Sequence, residues 1–462
     1  MSFLYVEESA TPMHVGGVSI FAAPAEGFDY DRLVDLISER IAFVPRYRQR
    51  VREIPGRLAN PVWVDDEGFD VSYHVRRSAL PRPGTDEQLG ELVARVQSRP
   101  LDRSRPLWEV YLVEGLAGGR FAIVTKSHQA LVDGIGAVDL GQVILDDAPG
   151  GNRRVADTWR PTPEPSAVEL VAGAVVDAVR RPTAILEAVR AGLGDARRTV
   201  GRLGGVAGGL LAAATSAGRP APYSPLNVEI GSQRRYAMVA HDLDDYRRIR
   251  KAFKDRSPDV SVHDVVLATI TGALRAWLLT RGEGAGPGTT VRALVPISVR
   301  SDVDDVASAT SGGHVSSHLV DLPVGEPSPA VRLHQVAYRM QTHTQAGTAV
   351  GARSLAGLAG FAPPTLHALG TRVAMDLSQR WFNLVVTNVP GPQQTLYADT
   401  ARMLAAYPVV PLARRQALSI GLTSYDGKVF YGLNADRDAM SDLATLGQCF
   451  SDALPELTEA VI

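Results

Sequence analysis

The stretch Lys126-Ser127-His128-Gln129-Ala130-Leu131-Val132-Asp133-Gly134-Ile135-Gly136 decides how this chain is read. Ahead of it, Phe121-Ala122-Ile123-Val124-Thr125 is a short apolar run of the kind that forms a strand, so the stretch lies where a strand gives way to a turn. Asp133 stands just before Gly134-Ile135-Gly136-Ala137-Val138, where it can cap a following helix, and Gly134 permits a backbone angle that a side chain forbids. Both are expected to be structural. Between them and the strand stand an imidazole, His128, and a neutral amide, Gln129. An amide has no nitrogen that titrates near neutral pH. It can orient a hydroxyl or donate to an oxyanion, but it cannot take up a proton.

Outward from this point, a length of 462 residues exceeds one ordinary core and favours two or three domains. With 45% hydrophobic and 21% charged residues, the composition is that of a soluble globular protein. A formal net charge of −2 gives no overall electrostatic reason to expect nucleic acid as a partner. The single cysteine, Cys449, rules out an internal disulfide and any Cys-rich zinc or iron–sulfur site, and fits a reducing cytoplasm. Met1-Ser2-Phe3-Leu4-Tyr5-Val6-Glu7-Glu8 lacks the basic start and long apolar run of a signal peptide. The longest weakly polar run, Leu203 to Gly218, falls short of the roughly 20 residues that cross a bilayer, so no membrane span is expected.

Three regions separate by composition. Residues 1–148 alternate short apolar runs with polar or Pro/Gly breaks; Leu107 to Val113 and Phe121 to Thr125 predict strands, and Asp31 to Arg40 predicts a helix. Pro161-Thr162-Pro163-Glu164-Pro165 marks a break within 149–232, a linker rich in Ala, Gly and Arg with helical spacing at Val168, Val171, Val175 and Val179. Arg180, Arg181, Arg190 and Arg197 punctuate that stripe. Such a segment can lie on an anionic lipid surface, yet the same pattern describes helices packed across two domains with Arg in solvent, and packing is the favoured reading. In 233–462, apolar positions from Val262 to Leu278 predict a helix capped by Ser261, followed by strands at Val291 to Pro296, Leu384 to Thr387 and Leu418 to Tyr425. Two α/β halves joined by a basic helical linker result, with a cleft between them where ligands usually sit.

His128-Gln129 with Asp133-Gly134 resembles the HHxxxDG motif of the bacterial wax ester synthase/acyl-CoA:diacylglycerol acyltransferase family, actinobacterial triacylglycerol synthase type. That family is related to chloramphenicol acetyltransferase and to peptide condensation domains. Further segments fall in the family's order: Pro12 to Val18, Arg105 to Tyr111, Leu294 to Arg300, Thr387-Asn388-Val389-Pro390-Gly391-Pro392 and Ser424 to Gly427. Val262-His263-Asp264 resembles its Asn-Asp motif with His in place of Asn. The resemblance covers nearly the whole chain. It implies an α/β fold of two chloramphenicol-acetyltransferase-like lobes with mixed sheets, a helical linker and a central channel between the lobes. It also implies an O-acyltransferase moving a long-chain acyl group from acyl-CoA to diacylglycerol, giving triacylglycerol, or to a long-chain alcohol, giving wax ester. Acyl-CoA would be a substrate, with no cofactor and no metal, and the alcohol would attack the thioester directly. Substrates that dissolve only in lipid, together with the basic linker, suggest a cytoplasmic protein held peripherally at the inner membrane face or at lipid droplets.

The resemblance makes His128, Gln129, Asp133 and Gly134 the candidate catalytic set, and Asn388, Pro390 and Gly391 a channel wall. In the family the second His of the motif deprotonates the acceptor alcohol, and here that place holds Gln129. Losing a positioned general base costs about a hundred- to ten-thousand-fold in rate. His128 could turn into the channel, although neighbours on an extended segment point to opposite sides. His263, with Asp264, could compensate or position substrate; read on its own, His263 is a helix-start residue touching backbone or Asp264. A catalytically weak or inactive member that binds lipid is the alternative function, and a condensation domain is disfavoured because no carrier-like module is attached. The chain also opens almost at Ser2-Phe3-Leu4, where the family carries several more residues including an Asp, so a late start or a missing lip of the site is expected.

Overall fold

The computed structural model describes residues 4, 7–57, 60–132, 140–151, 157–172, 220–254, 257, 259–299, 314–345, 350–351 and 381–462. Asp133, Gly134 and most of the basic linker lie outside the described residues. The first part of the chain supplies β1 (His14–Ala22), α1 (Tyr30–Arg40), β2 (Gln49–Arg52), β3 (Val62–Asp65), β4 (Val75–Ala79), α2 (Asp86–Ser98), β5 (Trp108–Leu116) and β6 (Arg120–His128). Asp29 caps α1 by accepting the Arg32 N–H at 3.0 Å, and Thr85 and Gln88 form a reciprocal capping box on α2. After the linker come β7 (Arg234–Asp242), α3 (Leu243–Phe253), α4 (Val262–Thr280), β8 (Val291–Val299), β9 (His314–Leu322) and α5 (Pro329–Gln345). The chain then runs through β10 (Val350–Gly351), β11 (Leu384–Pro390), β12 (Tyr397–Ala398), β13 (Ala401–Val409), β14 (Leu418–Tyr425), β15 (Lys428–Asp436) and α6 (Leu443–Val461).

Both large sheets are mixed. The first runs β12-β13-β1-β6-β5-β4, antiparallel except where β4 lies parallel to β5. The second runs β10-β9-β8-β11-β14-β15-β7, with β11 parallel to both β8 and β14. Sequence order and sheet membership therefore differ: β12 and β13, from residue 397 onward, complete the sheet begun by the first part of the chain. The crossing between sheets is the Asn-Val-Pro-Gly-Pro segment. At its tip the Gly391 N–H donates to the Ser424 carbonyl at 3.0 Å, and a Cβ at Gly391 would run into that same oxygen. Where the sheets meet, Pro408 of β13 lies on Gly421 and Gly432, and the Tyr236 hydroxyl donates to the Pro408 carbonyl at 2.9 Å.

Helix α4 is apolar on all sides because it is covered on all sides. Helices α3, α5 and α6 pack around it, and its residues from Val265 to Leu274 are buried. By length and composition alone it could cross a membrane, yet 72% of its most apolar window is buried inside the lobe. Ser261 caps it as the sequence predicts: Ser261 Oγ accepts the Asp264 N–H at 3.1 Å and Asp264 accepts the Ser261 N–H at 2.8 Å.

Just past the motif segment, Asp146 is clamped from two directions. The Arg40 guanidinium donates to both its carboxylate oxygens, at 3.2 and 2.6 Å, and both side chains are 2% exposed. Its backbone exchanges two 2.8 Å hydrogen bonds with Tyr397, which begins β12. Asp146→Ala would strand a buried guanidinium and is expected to lower unfolding free energy by about 3–5 kcal/mol. Urea titration checks this. A loss below about 1 kcal/mol would mean that the pair does not hold β12 against the first lobe.

Candidate active site

His128 is the last residue of β6, and Gln129 opens the single turn Gln129–Val132. Two backbone bonds fix this corner: the His128 N–H donates to Leu107 at 2.9 Å and the Gln129 N–H to Met13 at 2.8 Å. Because the strand ends at His128 and the turn begins at Gln129, the two side chains differ in burial. His128 is 1% exposed, whereas Gln129 is half-buried and its amide bonds no other described residue. Inside, His128 Nδ1 accepts the Ala130 N–H at 3.0 Å, so the neutral ring carries its proton on Nε2, 3.5 Å from Glu7 Oε2.

Register pairs His14 of β1 with His128, and the two rings sit edge to face at 6.2 Å. Glu7 lies between them, 3.4 Å from His14 Nε2, and accepts from Arg103 at 2.5 Å and from the Met13 N–H at 3.2 Å. Burial alone would raise the Glu7 carboxyl, but His128 and Arg103 outweigh it and bring the group to about 2. Burial, reinforced by Lys126, pushes His14 down to about 3 although Glu7 opposes the shift. The cluster is thus a carboxylate held against a neutral imidazole. Leu107 and Ala130, whose backbones bond His128, belong to a small buried apolar cluster with Leu4 and Leu101. Neither Glu7 nor His14 stood out as a site residue in the sequence, because only the β1–β6 register and the fold of the first few residues bring them to His128.

A second polar group forms on the other lobe. His263, in the first turn of α4, accepts from Asn388 Nδ2 of β11 at Nδ1 (3.0 Å), which leaves the proton on Nε2. That Nε2 is buried without a described partner, and burial lowers the ring's pKa, so it is a neutral donor. The Asp264 carboxylate is bonded into the helix cap and reaches His263 only through its charge, which opposes the effect of burial. Pro390 ends β11 exposed and Gly391 makes the turn. The fold therefore joins His263 to Asn388, some 125 positions apart, and His128 to His14 and Glu7.

Acidification is expected to weaken the fold through this cluster. An unfolded His14 takes up a proton near its ordinary 6.5 while the folded ring resists until about 3, so the unfolded chain binds more protons in that window and stability falls as pH drops. Glu7 adds the same sign between 4.5 and about 2. Urea midpoints measured from pH 6.5 to 5 should fall in the parent and fall less in His14→Gln. Parallel slopes would show that His14 is not buried neutral.

Two family models match the chain: "Wax ester synthase/diacylglycerol acyltransferase catalytic domain" over residues 1–266 and "WS/DGAT C-terminal domain" over residues 311–458. The Mycobacterium tuberculosis protein named probable diacylglycerol O-acyltransferase tgs2 is 33% identical over 475 residues, covering 99% of this chain and 97% of its own length. Its namesake tgs3 is 45% identical over 253 residues, which span 54% of this chain and 93% of tgs3. The solved wax ester synthase/diacylglycerol acyltransferase of Marinobacter aquaeolei VT8 superposes with a TM-score of 0.68 at 28% identity, covering 100% of this chain and 98% of that one. The starter condensation domain of rhizomide synthetase RzmA shares the fold, with a TM-score of 0.53 at 12% identity over 100% of this chain and 92% of its own. The motif order, the two mixed sheets and these matches agree, and the chain belongs to the wax ester synthase/diacylglycerol acyltransferase family.

Proposed function

We infer that the chain is an O-acyltransferase that moves a long-chain acyl group from acyl-CoA to diacylglycerol or to a long-chain alcohol. Relatives named as diacylglycerol O-acyltransferases that align over nearly its full length support this, as does the family of its catalytic part. One observation carries the local reading: at the motif corner the Gln129 amide has no partner among the described residues, while His128 is locked inside. The alcohol oxygen attacks the thioester carbonyl carbon, the carbon–sulfur bond breaks, and the hydroxyl proton ends on the CoA sulfur. Gln129 orients the hydroxyl through Oε1 or holds the oxyanion through Nε2. His263, its tautomer set by Asn388, supplies a second N–H for developing charge. The thioester provides the driving force, so the step requires neither a metal nor a covalent nucleophile.

Acyl-CoA is consumed as a substrate and no fixed cofactor is invoked. We take contact with membrane or lipid droplet as peripheral; the burial of helix α4 supports this, and the Arg-rich sequence between residues 173 and 219 is the stretch suited to an anionic surface. Gln129 itself favours a second reading, a slow or silent relative that holds lipid without turning it over. Purified protein given radiolabelled palmitoyl-CoA with diacylglycerol or hexadecanol separates the two. Labelled product is expected from the parent, with Gln129→His raising kcat by about a hundredfold or more. A silent parent rescued by Gln129→His would establish the lipid-holding reading. Equal rates for the parent, Gln129→His and Gln129→Ala would remove Gln129 from the reaction.

A further inference from the structure

Beside the motif's sheet, edge strand β4 and the C-terminal turn of α2 bound a cleft of about 780 Å³. Four arginines line it, Arg76 and Arg77 from β4 and Arg95 and Arg99 from the end of α2. Arg77 is paired with Glu114 at 2.5 Å and Arg76 with Glu109 at 3.2 Å. Arg95 and Arg99 are exposed, and no carboxylate among the described residues pairs with either. Glu109 has little charge to spare, since it also accepts the Tyr111 hydroxyl at 2.8 Å and lies 3.7 Å from Lys126 Nζ. The carbonyl end of a helix ordinarily repels anions. Here Lys126, fully buried, donates to the Val96 and Arg99 carbonyls at 2.9 and 2.6 Å and neutralises that end. The remaining positive charge is felt inside: burial first, then Arg76 and Arg99 acting against Glu109, push Lys126 down to about 8.

We propose that this cleft is a phosphate-binding site, with Arg95 and Arg99 as its principal ligands and Arg76 beside them. The planar, permanently charged guanidinium fork matches phosphate oxygens in pairs, and a concave wall of one sign concentrates its field. The cleft shares a sheet with the motif. Glu109 pairs in register with Lys126, two residues before His128, and β4 stands two strands from β6, roughly 10 Å across the sheet. A phosphate anchored here leaves a long flexible arm free to extend toward the motif corner. CoA and an anionic phospholipid headgroup both present this chemistry. Choosing CoA rests on the acyl-CoA reading above, whereas the phosphate site itself does not.

The test pairs Arg95→Gln/Arg99→Gln with a control, Arg247→Gln/Arg248→Gln, which removes two exposed charges from α3. Calorimetric titration with CoA, flotation on phosphatidylcholine vesicles with and without phosphatidylglycerol, and KM for palmitoyl-CoA are measured on each full-length protein. CoA affinity is expected to fall by roughly tenfold or more in the Arg95/Arg99 variant, the scale of two lost charge-assisted contacts, with the control unchanged. KM for the acyl donor should rise while kcat at saturation holds. Loss of flotation on phosphatidylglycerol with CoA affinity intact would assign the phosphate to a lipid headgroup and keep the site. Unchanged affinity for both overturns it. A parent that binds CoA through these arginines yet transfers no acyl group leaves the site standing and removes the acyltransferase reading.

Discussion

The antiparallel pairing of β1 with two partners, β6 on one edge and β13 on the other, is the constraint from which the rest follows. Through β6 it sets the motif corner, and through β13 it ties the second half of the chain into the first sheet. Two glycines make the pairing close: a Cβ at Gly16 would collide with the Thr125 carbonyl, and the Gly17 N–H bonds the Thr125 hydroxyl at 3.0 Å. A slip of one residue in this register would exchange the faces of the sheet and turn His128 outward. Because Pro408 of β13 rests on Gly421 and Gly432 of the second sheet, the same strand also fixes how the lobes meet.

Charge then distinguishes the two polar groups. Around His128 a low-lying carboxylate, a guanidinium and a neutral imidazole lie together with the His128 ring buried against them, which suits holding the corner rigid more than exchanging protons. Among the described residues the Gln129 amide bonds no other side chain, and the His263–Asn388 pair leaves His263 Nε2 without a partner, as His128 Nε2 is also left. An amide and an N–H donor stabilise negative charge without taking a proton, and that is a slower route than a family base would give.

Local pattern in the sequence carried far. The strands beginning at Trp108, Arg120, Val291, Leu384 and Leu418, the α1 helix and the Ser261 cap were all legible, because alternation, helical spacing and capping chemistry are properties of neighbours in sequence. The family resemblance placed the motif corner and singled out the Asn388 to Pro392 segment. Contacts between distant segments left no such trace. Glu7 beside His128, Asn388 on His263, and residues 397–409 in the first sheet depend on which surfaces meet, and a boundary near residue 148 drawn on composition alone says nothing of strands returning later. His263 stands at the start of its helix as its position suggested, and the amide that β11 brings to it could not be read from that position.

The central claim is that Gln129, and not His128, faces the reactants. Since Cys449 is the single cysteine and is buried in α6, a thiol introduced at the motif reports with little background. Rates of modification by a thiol reagent, measured on Gln129→Cys and His128→Cys in native protein with and without acyl-CoA, test the claim most directly. The predicted result is fast labelling at position 129, slowed by acyl-CoA, and almost none at 128 until the protein is unfolded. Fast, acyl-CoA-sensitive labelling at 128 with protection at 129 would contradict it.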